Sequence, residues 1–303
     1  LTAGMLSGFD LIRKPQQWGV QLFTLPSSLS KDFIGTLKKI SAAGYRQVEF
    51  FGPYDFSDAQ TIERWKGLAS QLGISQNAFY SYQPEEVKKI LVDLNLSSPS
   101  VHLDLLTMRS GLEKAATQLA KLDVKYVAIP ALLDLSVKTA DGYKQLANEF
   151  NSFGKKLKSF GMTFVYHNHG YEHALVDGEI PMNILLKHTD PELVTFELDI
   201  FWMQAAGASP VQYLKDYPGR FKLMHIKDAA QKIRFSGDGT TPDQWMALFP
   251  QMADPGSGVF DLKGIISAGL DSGTEILLLE RDLSPNADAT LVNSFKHLSA
   301  LNL

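Results

Sequence analysis

Eight times along the 303-residue chain, a short apolar run rich in Val, Ile, Phe and Tyr is followed by a longer stretch with helical periodicity. That alternation constrains the fold more than any single motif does. The strand-like runs fall at 18–25 (WGVQLFTL), 46–51 (RQVEFF), 100–106 (SVHLDLL), 125–133, 163–169 (TFVYHNH), 194–202 (VTFELDIFW), 221–227 (FKLMHIK) and 275–280 (EILLLE). Helices are predicted between them over 31–43, closed by Gly44, then over 111–123, 140–160, 182–188 behind Pro181, 210–216, 262–268 and 289–300. The connection at 52–83 is the longest insertion and holds an extra helix at 58–72, and a further helix opens at Pro84, a residue suited to a first turn. No composition break marks a linker. The pattern predicts an α/β protein closing as a single-domain (β/α)8 barrel over 18–303, after an N-terminal lead-in at 1–17. A doubly wound sheet is the alternative, but no G-x-G-x-x-G follows the first run.

Composition narrows the chemistry. Hydrophobic residues at 45% and charged residues at 20% supply a substantial core, which excludes disordered and coiled-coil chains. The net charge of −4 and the lack of a basic run leave no footprint for a phosphate backbone, so no nucleic-acid partner is expected. No apolar run reaches membrane-spanning length, so no membrane insertion is expected either. There are no cysteines, so any metal must be held by His, Asp and Glu. The chain starts at Leu1 rather than Met, which leaves a cleaved signal peptide or an engineered start open. The expectation is a soluble protein of either the cytoplasm or the periplasm, with an oligomer possible.

In a barrel of this kind the reactive groups sit at the C-terminal strand ends, and residues two apart on a strand face the same way. The last four runs each end in such a polar pair: His167 and His169, Glu197 and Asp199, His225 and Lys227, and Glu280 followed by Asp282. Earlier runs offer Gln21, Glu49, and His102 with Asp104. Burying so many ionisable groups together is costly unless they pair or coordinate a cation, and no Arg cluster lies along these runs to neutralise the carboxylates. One divalent metal ion answers the charge problem. The mixture of imidazole and carboxylate suits Mn, Co, Zn, Fe or Ni better than Mg or Ca.

These landmarks resemble the xylose-isomerase-like sugar phosphate isomerase/epimerase superfamily of TIM barrels, which also contains inosose dehydratases and the endonuclease IV type of enzyme. The resemblance runs from Trp18 nearly to the end of the chain. It is carried by WGVQLFTL, TLKKISAAGYRQVEFFG, YHNHGYEH, ELDIFWMQAAG, YPGRFKLMHIKDA, GSGVFDLKGI and LLLERD, in that order. The family holds one divalent ion with a Glu on strand five, an Asp on strand six, a His on strand seven and a Glu on strand eight. The resemblance therefore implies Asp199, His225 and Glu280 as ligands. Strand five departs from the pattern: the usual E-N-H reads His167-Asn168-His169, so the first ligand would be His167. Inosose dehydratases are similar in having a His-rich end to this strand.

The resemblance implies an enzyme acting on a sugar or keto-sugar by removing the proton beside a carbonyl, with a metal-stabilised enediolate. An isomerase or epimerase is the leading expectation, and a dehydratase or glycoside-eliminating lyase uses the same first step. A non-catalytic carbohydrate-binding barrel is the alternative from another class, and the acidic charge weighs against phosphodiester cleavage. Glu280 and Glu172 are the candidate proton carriers, Glu172 standing in for the missing strand-five carboxylate. Lys227 would hold a substrate oxygen or pair with Asp228 or another carboxylate. His169, His102, Glu49, Trp202 and Glu197 are the candidate substrate contacts. For His102 and Glu49 the other reading is structural, for Trp202 it is ordinary packing, and for Glu197 it is a place one layer deeper, orienting a ligand. The aromatic stretch at 78–83 either caps the barrel mouth or seats the extra helix. The GSG at 256–258 reads as an anion nest or as a turn.

Overall fold

Alternate residues of each strand-forming run point to opposite sides of the sheet, and here both sides are buried. On the fifth run, Phe164 and Tyr166 face outward and meet the Phe150 ring at 4.8 and 5.3 Å. Val165 faces inward, into a cluster with Tyr126, Ala128, Leu223, Ile276 and Leu278. The computed structural model describes residues 17–132 and 137–303, so all but Gln17 of the lead-in expected at 1–17 lies outside the described residues.

Eight strands form a closed barrel in chain order, every neighbour parallel. They are β1 (Trp18–Gln21), β2 (Gln47–Phe51), β3 (Ser97–His102), β4 (Tyr126–Ile129), β5 (Thr163–His167), β6 (Val194–Asp199), β7 (Phe221–Ile226) and β8 (Ile276–Leu279). The helices that matter here are α1 (Phe33–Ala43), α2 (Ala59–Leu72), α3 (Pro84–Asp93), α4 (Leu105–Ala120), α5 (Ala140–Lys158), α6 (Pro181–His188), α7 (Ile200–Ala206), α8 (Pro210–Asp216), α9 (Leu262–Ser272) and α10 (Ala287–Ser299). Among the described residues, no helix is long and apolar enough to cross a membrane.

Several strands are shorter than the apolar runs that mark them, because a polar side chain at the strand end caps a helix. Asp104 accepts the Thr107 N–H at 2.9 Å, so Leu105 and Leu106 begin α4 rather than continuing β3. Asp199 accepts the Trp202 N–H at 2.9 Å, which turns IFW from the expected strand into the start of α7. Each such cap stabilises its helix by about 1 kcal/mol. Gly111, expected to open a helix, instead sits inside α4 with non-helical φ of −144° and kinks it.

Two loop expectations resolve. In the 78–83 stretch, Phe79 packs on Phe50 and Tyr54 at 5.2 and 4.7 Å, and Tyr80 and Tyr82 stack on Phe33 of α1 at 4.9 and 5.4 Å. The aromatics therefore seat the insertion against the flank of the barrel and do not cap its mouth. At 256–258, the Asp228 carboxylate accepts the N–H groups of Gly256, Gly258 and Phe260 at 3.0, 2.9 and 3.1 Å. The chain fills this nest with its own carboxylate, so the anion-nest reading is corrected to a turn organised by Asp228.

Candidate metal centre

Above the apolar plug, the lumen-facing positions turn polar in two tiers. The lower tier consists of Gln21 on β1, Glu49 on β2, His102 on β3, His167 on β5, Glu197 on β6 and His225 on β7, all buried. His225 Nε2 lies 2.7 Å from Glu49 Oε2 and 3.1 Å from Glu197 Oε1. His102 Nε2 lies 3.0 and 3.1 Å from the Oε2 atoms of Glu49 and Glu197, and His167 Nδ1 lies 3.1 Å from Glu197 Oε2.

The upper tier is Asp199, Lys227 and Glu280, also buried, reached from below by the other face of His225. Asp199, His225 and Glu280 each turn one ligand atom toward the others, all within 4.8 Å. His225 Nδ1 is 2.7 Å from Glu280 Oε2 and 3.9 Å from Asp199 Oδ2, and His167 Nε2 is 3.7 Å from Asp199 Oδ2. Despite these approaches, Asp199 Oδ2, His225 Nδ1 and Glu280 Oε2 have no hydrogen-bond partner of acceptable geometry. Buried polar atoms are nearly always paired, and these converge instead on a common point. Lys227 donates to Asp282 at 2.6 Å and stands 3.1 and 2.9 Å from Asp199 and Glu280. One ammonium thus faces three carboxylates; a charged His225 beside Glu280 and burial that pushes Asp282 up to about 7 offset only part of the negative charge.

The electrostatics point the same way. Burial alone would lower His225, but the carboxylates of Glu197 and Glu280 hold it well above its ordinary value. Burial would raise Glu280, and Lys227 and His225 more than offset this, so its carboxyl stays below the usual range. Burial raises Asp199 against the pull of Lys227 and His225. His167 is driven well below its ordinary value by burial and by neighbouring His225, and so is a neutral imidazole with a lone pair to offer. Asp199, His225 and Glu280 bring one imidazole and two carboxylates within 4.8 Å, a set that fits a divalent transition ion, and His167 Nε2 approaches that set through Asp199 alone, at 3.7 Å.

The remaining candidates lie around this core. His169 is pushed down to about 3 by burial and by Lys227, and its ring lies 5.6 Å from that of Trp202. His169 Nδ1 and Trp202 Nε1 are buried without partners. Trp202 stacks on Phe235 at 5.9 Å, and the Lys227 ammonium lies 5.3 Å from its ring centre. The loop after β5 approaches α7 so closely that a Cβ at Gly170, whose φ is +92°, would meet the Trp202 carbonyl oxygen at 2.6 Å.

Glu172 is placed differently from the expectation. Its carboxylate accepts the Tyr166 hydroxyl at 2.7 Å and the His169 N–H at 3.1 and 3.2 Å, and burial pushes it up to about 7. Tyr166 alternates with His167 on β5 and faces the helices. The expected proton carrier therefore braces its own loop from outside the lumen. Glu49, His102 and Glu197, read as substrate contacts or as structural and deeper, ligand-orienting groups, contact one another and the His167 and His225 rings in the lower tier, as the second readings have it. Lys227 pairs with Asp282 and not with Asp228.

Asn168 escaped sequence reasoning. Its side-chain oxygen accepts the Asp199 N–H at 2.9 Å, tying the end of β5 to that of β6. No sequence signal marks such a cross-strand amide.

Residues 37–301 match the family profile described as xylose isomerase-like TIM barrel. The chain belongs to this family. Among curated relatives, an inosose dehydratase of Clostridium tetani is 26% identical over 65% of this chain and 63% of its own length. Inosose dehydratase 2 of Bacillus cereus is 31% identical over 35% of each chain, so the match spans only about a third of that relative. Among solved structures, a sugar phosphate isomerase/epimerase from Parabacteroides distasonis ATCC 8503 superimposes with a TM-score of 0.74 at 24% identity, covering 97% of this chain and 96% of that one. The IolI protein with a bound zinc atom superimposes at 0.67 with 14% identity, covering 94% and 98%. At these identities the two structures speak for the fold alone.

Proposed function

We propose that the protein is a divalent-metal-dependent enzyme that removes the proton beside the carbonyl of a sugar or cyclic keto-polyol, with His167, Asp199, His225 and Glu280 holding the ion. The observation that carries this reading is the convergence of Asp199 Oδ2, His225 Nδ1 and Glu280 Oε2, buried, within 4.8 Å and without a hydrogen bond of acceptable geometry. A bound divalent ion supplies a Lewis acid that draws electrons from a substrate carbonyl and acidifies the adjacent C–H.

The chain's own residues do the rest. Glu280 takes the proton. Lys227, a buried ammonium fixed by Asp282, is charged and pre-oriented to hold a substrate oxygen as negative charge builds on it. His169 Nδ1 and Trp202 Nε1 offer hydroxyl groups one acceptor and one donor. Returning the proton from Glu280 to the neighbouring carbon isomerises the sugar, and protonation of the original carbon on the opposite face, by a donor other than Glu280, epimerises it.

Elimination of a β-hydroxyl from the same deprotonated species, the C–O bond breaking as the hydroxyl takes the proton held by Glu280 and leaves as water, is the second reading. It is favoured by the imidazole in place of a carboxylate at strand five and by the relatives named inosose dehydratase.

Metal analysis followed by incubation with ketoses and inososes in D₂O tests both. About one ion per chain and deuterium at the carbon beside the carbonyl are expected, or an unsaturated product if elimination occurs. Metal-dependent sugar binding with neither exchange nor elimination would leave a binding barrel instead.

A further inference from the structure

The hydrogen bonds of the lower tier fix where its protons sit. The Gln21 side-chain oxygen accepts the Phe23 N–H at 2.8 Å, so its amide nitrogen is the group directed into the barrel. That nitrogen donates to Glu49 Oε2 at 3.0 Å and lies 3.4 Å from His102 Nδ1, while His102 Nε2 carries a proton facing both carboxylates, which raise this ring to about 9 against the effect of burial. Ionised carboxylates can only accept. His167 must therefore carry its proton on Nδ1, 3.1 Å from Glu197, and His225 must carry one on Nε2, 2.7 Å from Glu49. The nitrogens left over, His167 Nε2 and His225 Nδ1, are the two that face Asp199 and Glu280; without a cation Glu280 holds a proton on His225 Nδ1, and that is the proton a bound ion displaces.

We propose that Glu49 and Glu197 are positioning residues that hold these ring protons from beneath and so aim the lone pairs of His225 Nδ1 and His167 Nε2 at the cation. The inference rests on the metal reading above. It extends that reading to a relay in which a backbone N–H fixes Gln21, Gln21 fixes His102 and Glu49, and the two carboxylates fix both imidazole ligands. The competing occupant of the lower tier is a second ion, since His102, His167, Glu197 and His225 also offer atoms within 4.8 Å of one another. Each of those nitrogens already faces a carboxylate or amide at hydrogen-bond distance, whereas Glu49 Oε1 and Glu197 Oε1 are buried without a hydrogen bond, so the number of zinc ions taken up decides between the two occupants.

The test uses full-length protein labelled with ¹⁵N-histidine, alone and loaded with zinc, together with the near-isosteric variants E49Q and E197Q. Zinc affinity is measured by chelator competition, and the ring protons are read by long-range ¹H–¹⁵N correlation. Wild type is expected to take up one zinc, with protons on His225 Nε2 and His167 Nδ1 protected from exchange. E49Q should weaken zinc binding ~10–100-fold and speed exchange at His225, and E197Q should do the same at His167. Should a variant fail to fold, the wild-type proton positions decide. A proton on His225 Nδ1 in the zinc-loaded protein, two zinc ions per chain with one lost in the variants, or zinc affinity within twofold of wild type in both variants would each overturn the proposal. Wild type that binds no divalent ion would overturn the metal reading first, and this inference with it.

Discussion

The two ends of the barrel hold clusters built from the same kinds of side chain and assembled in opposite ways. At the N-terminal end, Glu275 stands just before β8 and is met by Lys125 at 2.9 Å, Lys222 at 3.2 Å and the Tyr126 hydroxyl at 2.8 Å. Both carboxylate oxygens are engaged, cations outnumber anions, and the Glu275 side chain remains 41% exposed. At the C-terminal end, Asp199, Glu280 and Asp282 share one ammonium, the groups are buried, and three atoms lack a hydrogen bond of acceptable geometry. The first cluster is complete as it stands and costs the fold little, because water still solvates it. The second carries a desolvation cost that its own residues do not offset. The divalent ion proposed above would offset that excess of negative charge.

The comparison breaks most sharply at the upper tier. H225A should abolish metal retention through gel filtration and lower turnover by ~10³-fold or more while the protein still folds, because several kcal/mol of charge stabilisation leaves with the ion. Full metal retention in H225A would sink the site. E280Q should lower proton exchange into substrate by ~10²-fold or more, with metal occupancy measured alongside so that loss of the base is separated from loss of the ion. H167E, which restores the family's strand-five carboxylate, should keep the metal and shift preference roughly tenfold toward manganese and magnesium. An unchanged preference, read by competition between ions, would put His167 outside the ligand set.

Smaller effects are expected away from the lumen. E172Q should change turnover by less than about threefold, against the ~10²–10⁴-fold expected of a lost proton carrier, and lower stability by roughly 1 kcal/mol through its loop. The smallest effect belongs to the N-terminal cluster. Burial would raise Glu275, but Lys125, Tyr126 and Lys222 bring it down to about 2. Its folded value is depressed, so its contribution is present above the ordinary carboxylate range and is lost as pH falls toward 2. E275Q should therefore destabilise by less than about 1 kcal/mol at pH 7 after solvent screening, and by nothing at pH 2, with activity untouched. Urea midpoints at the two pH values check this, and a loss of stability that persists at pH 2 would refute it.

Much of the fold was legible because burial on both faces of a parallel sheet writes itself into the chain as apolar runs. The α8 helix at Pro210–Asp216 and the entry to α3 at Pro84 lie where proline marks a first turn. Strand ends were misread where apolar content continues past a capping side chain, as at Asp104 and Asp199, since composition does not record which oxygen meets which N–H.

The candidate site divides along the same line. The order of residue types at strand ends, with the two-residue alternation of a strand, was enough by itself to collect His167, Asp199, Lys227, His225 and Glu280 on the lumen side. Depth was left open by it, with Glu197 readable at either level. Glu49, Glu197 and His102 share the parity of the upper residues and differ from them only in height, which depends on barrel register and stagger. Glu172 lies five residues from His167, yet it faces the helices because Gly170 turns the loop and the Tyr166 hydroxyl captures its carboxylate. Residue chemistry and period are local properties that a sequence carries. Which lone pair faces which proton is decided only when eight strands close around one axis.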